Sequence, residues 1–179
     1  MTSNFSVTPK PQNSNAKILM SVFFIVALVA LVVSFFIEKY KGVVGMVTFA
    51  SLITAILVYT KYIAVKFHYD IIVEEVDEPL FVVRQTIGKR DVTLCRIAFA
   101  NITKIEKETS EERRAHKSAQ GVAKYSYTPT LSPSTSYRIF VSSRYEKAEI
   151  IIEGTDELCE MLTSVAASAK ANRISEDDE

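Results

Sequence analysis

The sequence has few of the residues from which catalytic and metal sites are usually built. Among 179 residues there are two cysteines, two histidines and five glycines. The thiols, Cys95 and Cys159, are too few for a disulfide framework and suit a reducing compartment. Together with His68 and His116 they match no known spacing of zinc ligands. We therefore expect no metal site.

The glycines and the short motifs also exclude the common enzyme signatures. The five glycines lie singly, at positions 42, 45, 88, 121 and 154, so no glycine-rich loop is present to bind phosphates. The chain contains no Gly-x-Ser-x-Gly, His-Glu-x-x-His or Gly-x-Gly-x-x-Gly motif. We expect no catalytic residues and no cofactor, and we interpret the chain as a protein that is not an enzyme.

Charge is missing from two long stretches near the N-terminus. Residues 18–37 form a run of twenty residues without charge, and residues 42–60 form a second run of nineteen. A helix rises ~1.5 Å per residue, so each run is long enough for the ~30 Å of hydrocarbon in a bilayer. Only residues 38–41 separate the two runs. The sequence therefore predicts a transmembrane helical hairpin over residues 17–65.

The cations that flank this hairpin predict its orientation. The short loop carries Lys39 and Lys41. The opposite side carries four lysines: Lys10, Lys17, Lys61 and Lys66. By the positive-inside rule, four cations against two place both termini in the cytoplasm. We predict a protein that spans the cell membrane twice, with cytoplasmic N- and C-termini and the bilayer as one partner.

Composition divides the rest of the chain into two tails and one soluble domain. Residues 1–16 are polar and have nothing to pack, so they predict a disordered tail. Residues 66–173 predict the soluble domain, and residues 174–179 an acidic tail. From residue 66 onward there are 16 Lys and Arg against 20 Asp and Glu, which gives a net charge of −4. A nucleic-acid-binding domain is normally basic, so we expect no nucleic-acid partner.

The soluble domain has the pattern of several strands followed by one helix. Segments of alternating or β-branched residues predict strands at 69–73, 80–87, 92–99, 137–141 and 146–153, with a hairpin connection at 88–91. After Gly154 the apolar residues follow helical spacing, and Thr155 is a suitable N-cap. The apolar face consists of Leu158, Met161, Leu162, Val165 and Ala169. This order predicts an α+β domain closed by an amphipathic helix that ends near Asn172.

Two segments between the strands leave alternatives open. Residues 106–124 are highly charged and predict a solvated loop or a short surface helix. Residues 125–137 contain Pro129 and Pro133, which exclude a central strand because proline lacks the ladder donor. This segment either caps the sheet edge or binds a protein partner. Its candidate aromatic anchors are Tyr125, Tyr127 and Tyr137.

Three segments carry a resemblance to a known family: residues 93–105, 137–141 and 148–153, followed by the terminal helix. In order and pattern they resemble the bacterial PH-like domain membrane proteins, in which one or two N-terminal membrane helices precede a PH-like domain. The resemblance implies an antiparallel PH-like β-barrel or sandwich over residues 66–173. It implies a fold and no assigned chemistry, and the insert at residues 106–136 departs from the family.

Two classes of function follow. The first is a membrane-tethered binding or scaffold module that recognises a protein or peptide at the cytoplasmic face. The second is a lipid-headgroup sensor, the role of many eukaryotic PH domains, in which Lys89 and Arg90 would be the headgroup contacts. Those domains use the loop of their first hairpin, and here that loop, residues 74–79, is acidic and would repel phosphate. We favour the binding module, with an enzyme of unknown class as a third alternative.

Overall fold

A computed structural model of the chain describes residues 3–10, 14–36, 38–73, 78–143 and 146–177. Within these residues two apolar helices precede two four-stranded sheets and a long C-terminal helix. The helical hairpin followed by an α+β domain is the organisation that the sequence predicts.

The two apolar helices form the N-terminal hairpin. Helix α1 spans Ser14–Phe36 and helix α2 spans Lys41–Val58, with a 3-10 turn, Glu38–Tyr40, between them. A π-helical turn, Tyr59–Ile63, continues α2. In the described part of the chain, both helices are long and apolar enough to span a membrane. Most of their apolar side chains are exposed, whereas those of a core helix would be buried, so their surface suits the hydrocarbon of a bilayer.

A short N-terminal strand ties the two ends of this hairpin together. Strand β1, Ser3–Val7, pairs antiparallel with strand β2, Val65–Val73, and Val7 lies opposite Tyr69. Because β1 precedes α1 and β2 follows α2, the segments that enter and leave the hairpin lie on the same side of it. Contrary to the disordered tail predicted for residues 1–16, residues 3–7 form this strand and residues 14–16 belong to α1. The edge of β2 supplies backbone partners for residues 3–7, and Phe5 and Val7 pack against the core; the composition of the tail alone reveals neither contact.

The first sheet has the strand order β1-β2-β3-β4. Strand β3 spans Leu80–Ile87 and strand β4 spans Arg90–Ala98, and a tight turn at Gly88 and Lys89 joins them. Gly88 has φ +62°, a left-handed conformation that glycine adopts without steric cost. The hairpin predicted at residues 88–91 is therefore present, with Ile87 opposite Arg90.

The second sheet has the order β5-β7-β8-β6 and is mixed. Its strands are β5, Ile102–Thr109; β6, Ala123–Tyr127; β7, Thr135–Ser142; and β8, Lys147–Ile152. Strand β6 pairs parallel with β8, so the expectation of antiparallel strands throughout is wrong for this pair. The segments before and after β6 are long enough for the strand to lie at the sheet edge parallel to β8. The sequence of a strand does not determine whether it runs parallel or antiparallel to its neighbour.

The C-terminal helix α4, Asp156–Asp177, packs its apolar face on the core between the sheets. Leu158 and Leu162 are completely buried there. The predicted N-cap is present, since Thr155 Oγ1 accepts a hydrogen bond from the Leu158 N–H at 3.4 Å. The helix continues past the predicted end at Asn172, so part of the predicted acidic tail is helical.

Several predicted features fall outside the described residues. They are residues 1–2 and 11–13 of the N-terminal tail, Ile37 at the end of the first span, residues 74–77 of the acidic loop and residues 178–179 of the acidic tail.

Candidate functional site

Strand β6 is an edge strand with exposed side chains. It pairs on one side with β8, and among the residues that the structure describes no strand pairs with its other side. Lys124, Tyr125 and Ser126 are all exposed, while Tyr127 is half-buried. The strand is therefore held by the sheet but keeps a free backbone edge. Of the segment 125–137, for which the sequence predicted either a cap on the sheet edge or a partner site, residues 125–127 lie in this edge strand, whereas residues 135–137 lie in the inner strand β7.

Two of the three predicted anchor residues are stacked on this strand. The rings of Tyr125 and Tyr127 are nearly parallel, with centroids 6.3 Å apart and an interplanar angle of 7°. Tyr127 also contacts Phe67 of β2, with ring centroids 6.5 Å apart. The side chain of Tyr125 is 42% exposed. The two stacked rings, termed here the aromatic step, form a continuous surface from the half-buried ring of Tyr127 to the exposed ring of Tyr125.

Hydrogen bonds fix the inner end of this aromatic step. The Tyr69 hydroxyl donates to the Tyr127 carbonyl oxygen at 2.6 Å and accepts from the Glu153 N–H at 3.2 Å. Burial, with a smaller effect of Cys95, raises the pKa of the Tyr127 hydroxyl to about 12. Burial also raises the pKa of the Cys95 thiol, to about 11. Both groups are therefore neutral near pH 7, and the step presents aromatic surface without charge.

The third predicted anchor, Tyr137, does not belong to this surface. Its side chain is 3% exposed, and its hydroxyl donates to Asp156 Oδ1 at 2.5 Å. Ile152 lies opposite both Tyr127 and Tyr137, so Tyr137 occupies an inner strand where its ring faces the core. The prediction of Tyr137 as an anchor is therefore not supported by its position, because its ring is packed in the core cluster with residues of both sheets and α4.

The predicted headgroup contacts, Lys89 and Arg90, are exposed at the turn between β3 and β4. This turn is close to the end of the helical hairpin, because Ile87 lies opposite Val65, the first residue of β2. Lys89 and Arg90 therefore belong to a different surface from the aromatic step on β6, on the other sheet.

Residues 110–122, which connect β5 to β6 and are termed the insert from here on, contain a short helix, α3, Ser110–Ala115. A short surface helix was one of the two alternatives predicted for residues 106–124, but residues 106–109 and 123–124 belong to strands. A capping box begins it: the Thr109 hydroxyl accepts from the Glu112 N–H, and the Glu112 carboxylate accepts from the Thr109 N–H. Arg113 attaches the helix to the second sheet through hydrogen bonds to Ser136 Oγ at 2.9 Å and to the Pro133 carbonyl oxygen at 2.7 Å.

Beneath this insert lies a buried ionic network that the sequence did not predict. Arg138 is 1% exposed, and its Nε and Nη2 donate to Glu108 Oε2 at 3.0 and 2.6 Å. Its Nη1 donates to Glu149 Oε2 at 2.5 Å. The three side chains come from three neighbouring strands, β5, β7 and β8. Charges at outward-facing strand positions suggest a solvated face, and only the covering insert makes this face interior.

The insert also contributes to the network directly. Ser118 Oγ donates to Glu149 Oε2 at 2.8 Å, and His116 Nε2 lies 3.3 Å from Glu149 Oε1. Burial would raise the pKa of the Glu149 carboxyl, but the hydrogen bonds from Ser118, His116 and Arg138 outweigh burial and lower it. Glu149 is therefore ionised and fully engaged at neutral pH. The hydrogen bonds of this network attach the insert to the sheet. The polar groups of the network are hydrogen-bonded to one another.

A second opening lies between β1 and α4. It is lined by Phe5, Glu157, Glu160, Met161 and Ser164. Strand β1 covers the edge of β2 on this side and is itself the edge strand of the first sheet, but its apolar side chains, Phe5 and Val7, are half-buried against the core and offer no exposed aromatic surface. The edge of β6 combines a free backbone with exposed aromatic surface, and it is the stronger candidate for a binding site.

Comparison of the chain with protein-family models, with curated proteins and with solved structures finds no match.

Proposed function

We propose that the protein is a membrane-tethered binding or scaffold module of the PH-like type, which recognises an extended peptide of a partner protein at the cytoplasmic face of the membrane. The observation that carries this proposal is the stacked pair Tyr125 and Tyr127 on the free edge of β6. The succession of strands followed by a packed C-terminal helix supports the PH-like assignment, while the parallel pairing of β6 departs from an all-antiparallel arrangement.

An added strand is the mode of recognition that this geometry favours. The free N–H and C=O groups of an edge strand can pair with an extended peptide, and neighbouring side chains then select its sequence. Tyr125 and Tyr127 offer a large, rigid contact area with few rotatable bonds to immobilise. An apolar side chain of the peptide would pack on the exposed ring of Tyr125. Its backbone would pair with Ala123–Tyr127.

Replacement of both tyrosines, Tyr125→Ala with Tyr127→Ala, is expected to weaken partner binding by about thirtyfold or more. An aromatic hot-spot residue at the centre of an interface contributes ~2 kcal/mol or more, which corresponds to about thirtyfold in affinity, so the loss of even one of the two anchors gives this effect. The measurement is the amount of partner that co-purifies with the intact protein from solubilised membranes, followed by an affinity titration of that partner. The matched control on the same strand is Lys124→Ala with Ser126→Ala, which leaves the aromatic step in place.

The folding of the variants decides between a binding and a structural role. If the double variant unfolds, the segment is structural, and Tyr125→Ala alone, which removes only a half-exposed ring, then tests binding. If a folded variant retains its partner with unchanged affinity, the β6 site is wrong and the partner binds elsewhere.

The proposed orientation places both chain ends in the cytoplasm. The pairing of β1 with β2 places the N-terminal strand and the soluble domain on the same side of the hairpin, and the flanking lysines favour the cytoplasmic side. A phosphatase that is active only outside the cytoplasm, fused after Glu179 in a bacterial host, is expected to be inactive. The same reporter fused after Tyr40 is the control and is expected to be active. The reverse pattern would contradict the orientation.

A further inference from the structure

The turn between β3 and β4 lies where the chain leaves the helical hairpin. The π-helical turn that continues α2 ends at Ile63, and β2 begins two residues later at Val65. Val65 lies opposite Ile87, the last residue of β3. Neighbouring strands are ~4.8 Å apart, so residues 87–92, termed here the β3–β4 tip, stand beside the exit of α2 at the same level.

The β3–β4 tip exposes apolar side chains that nothing in the described chain covers. Ile87 is 48% exposed and Val92 is 49% exposed. Among the described residues after Ile63, Tyr125 is the other large apolar side chain that is exposed to this degree. Val92 lies opposite Gln85, two residues before Ile87, so Ile87 and Val92 share one face of the sheet. That face is the apolar inner face, which continues past the core towards the hairpin.

Cations lie at the same end of the sheet as these apolar side chains. Lys89 and Arg90 are exposed at the turn itself. Lys61 and Lys66 are exposed on either side of the α2 exit. The nearest carboxylate at the turn is Asp91, which accepts a hydrogen bond from Thr86 Oγ1 at 2.5 Å. Exposed aliphatic residues bordered by lysine and arginine are typical of surfaces that bind at the interface of an anionic membrane.

We infer that the β3–β4 tip docks on the bilayer leaflet from which α2 emerges, with Ile87 and Val92 at the boundary between headgroups and acyl chains and with Lys89 and Arg90 bound to the phosphates of anionic lipids. The inference rests on the proposed membrane tether, since the same leaflet must surround the end of α2. With one contact through α2 and a second through the tip, the domain has a fixed orientation on the membrane. The opposite end of β3 then points away from the membrane.

Tryptophan fluorescence tests the docking directly, because the natural sequence contains no tryptophan. The full chain carrying Ile87→Trp is reconstituted in vesicles of phosphatidylcholine and phosphatidylglycerol, with and without bromine on the lipid acyl chains. Bromine quenches only fluorophores that contact the lipid, so burial within the protein does not imitate the signal. We expect strong quenching of the Ile87→Trp variant.

Two control variants separate the docking from the tether. Phe49→Trp, at an exposed position of α2, is expected to be quenched if the hairpin spans the bilayer. Glu78→Trp, at an exposed position near the start of β3, is expected to show no quenching, because a rise of ~3.3 Å per residue places it about 30 Å from the tip. Quenching of Phe49→Trp without quenching of Ile87→Trp overturns the docking and leaves the tether intact. Absence of quenching in both overturns the tether.

The contribution of the cations has its own test. Addition of Lys89→Glu and Arg90→Glu to the Ile87→Trp variant is expected to reduce quenching at least twofold in vesicles that contain phosphatidylglycerol. In vesicles of phosphatidylcholine alone, the charge reversal is expected to have little effect. Equal quenching with and without the charge reversal, in both kinds of vesicle, would overturn the role of anionic headgroups.

Discussion

Replacement of Arg138 by methionine is expected to lower the free energy of unfolding of the soluble domain by about 3–5 kcal/mol. The guanidinium is the only cation that contacts both Glu108 and Glu149 within the described network, and the two carboxylates are 8% and 4% exposed. Methionine fills a similar volume but leaves both negative charges buried without their partner. Removal of one member of a buried ion pair is costly for this reason, even where the pair itself adds little stability.

This loss is measurable as a melting temperature of the full chain in detergent, followed by near-ultraviolet circular dichroism. For a domain of about 110 residues we expect a decrease of roughly 10–20 °C. The matched control is Lys104→Met, which removes a cation from an exposed pair with Glu106 on the same sheet. Exposed pairs contribute ~1 kcal/mol or less, so this control should melt close to the unmodified protein. Equal melting temperatures for Arg138→Met and Lys104→Met would contradict the expected cost of leaving Glu108 and Glu149 without their partner.

The substitution Leu162→Asp is expected to destabilise the domain by roughly 4 kcal/mol or more. Leu162 is completely buried where α4 packs on the core. Loss of the leucine side chain from such a site costs about 2–5 kcal/mol, and burial of an unpaired carboxylate adds to this cost. The helix cannot rotate to expose the new charge, because Leu158 and Ala166 occupy the same face and are buried as well.

The neighbouring substitution Thr163→Asp is the control for Leu162→Asp. Thr163 lies one position further along α4 and is exposed, and threonine and aspartate have similar helix propensities. We expect this variant to melt within a few degrees of the unmodified protein. A melting temperature of Leu162→Asp that equals that of Thr163→Asp would mean that α4 does not dock through this face.

These two substitutions act on different layers of the domain. Leu162 belongs to the apolar core between the sheets, whereas Arg138 belongs to the polar layer between the second sheet and the insert. The polar layer fixes the insert over residues whose charges would otherwise face water. Because the insert leads directly into β6, loss of the Arg138 network is also expected to disturb the strand that carries Tyr125 and Tyr127.

Features that depend on neighbouring residues along the chain could be predicted from the sequence alone. The uncharged runs predicted the two apolar helices, because the length and the hydropathy of a run can be read from consecutive residues. The spacing of Leu158, Leu162 and Ala169 determined the buried face of α4, because helical geometry places these positions on one side. The turn at Gly88 followed from a glycine between two β-branched segments.

Features that depend on distant pairing were decided only by the tertiary structure. Residues 3–7 lie in a mostly polar tail, and they form a strand because β2, some sixty residues later, pairs with them and because the core accepts the side chains of Phe5 and Val7. Tyr127 and Tyr137 are chemically identical, yet Tyr127 stands on an edge strand and Tyr137 on an inner one. Arg138 has the sequence pattern of a solvated position and is buried because the insert folds over it. The physical reason is the same in each case: burial and pairing are properties of what lies opposite a residue, and strand order is not encoded in local spacing.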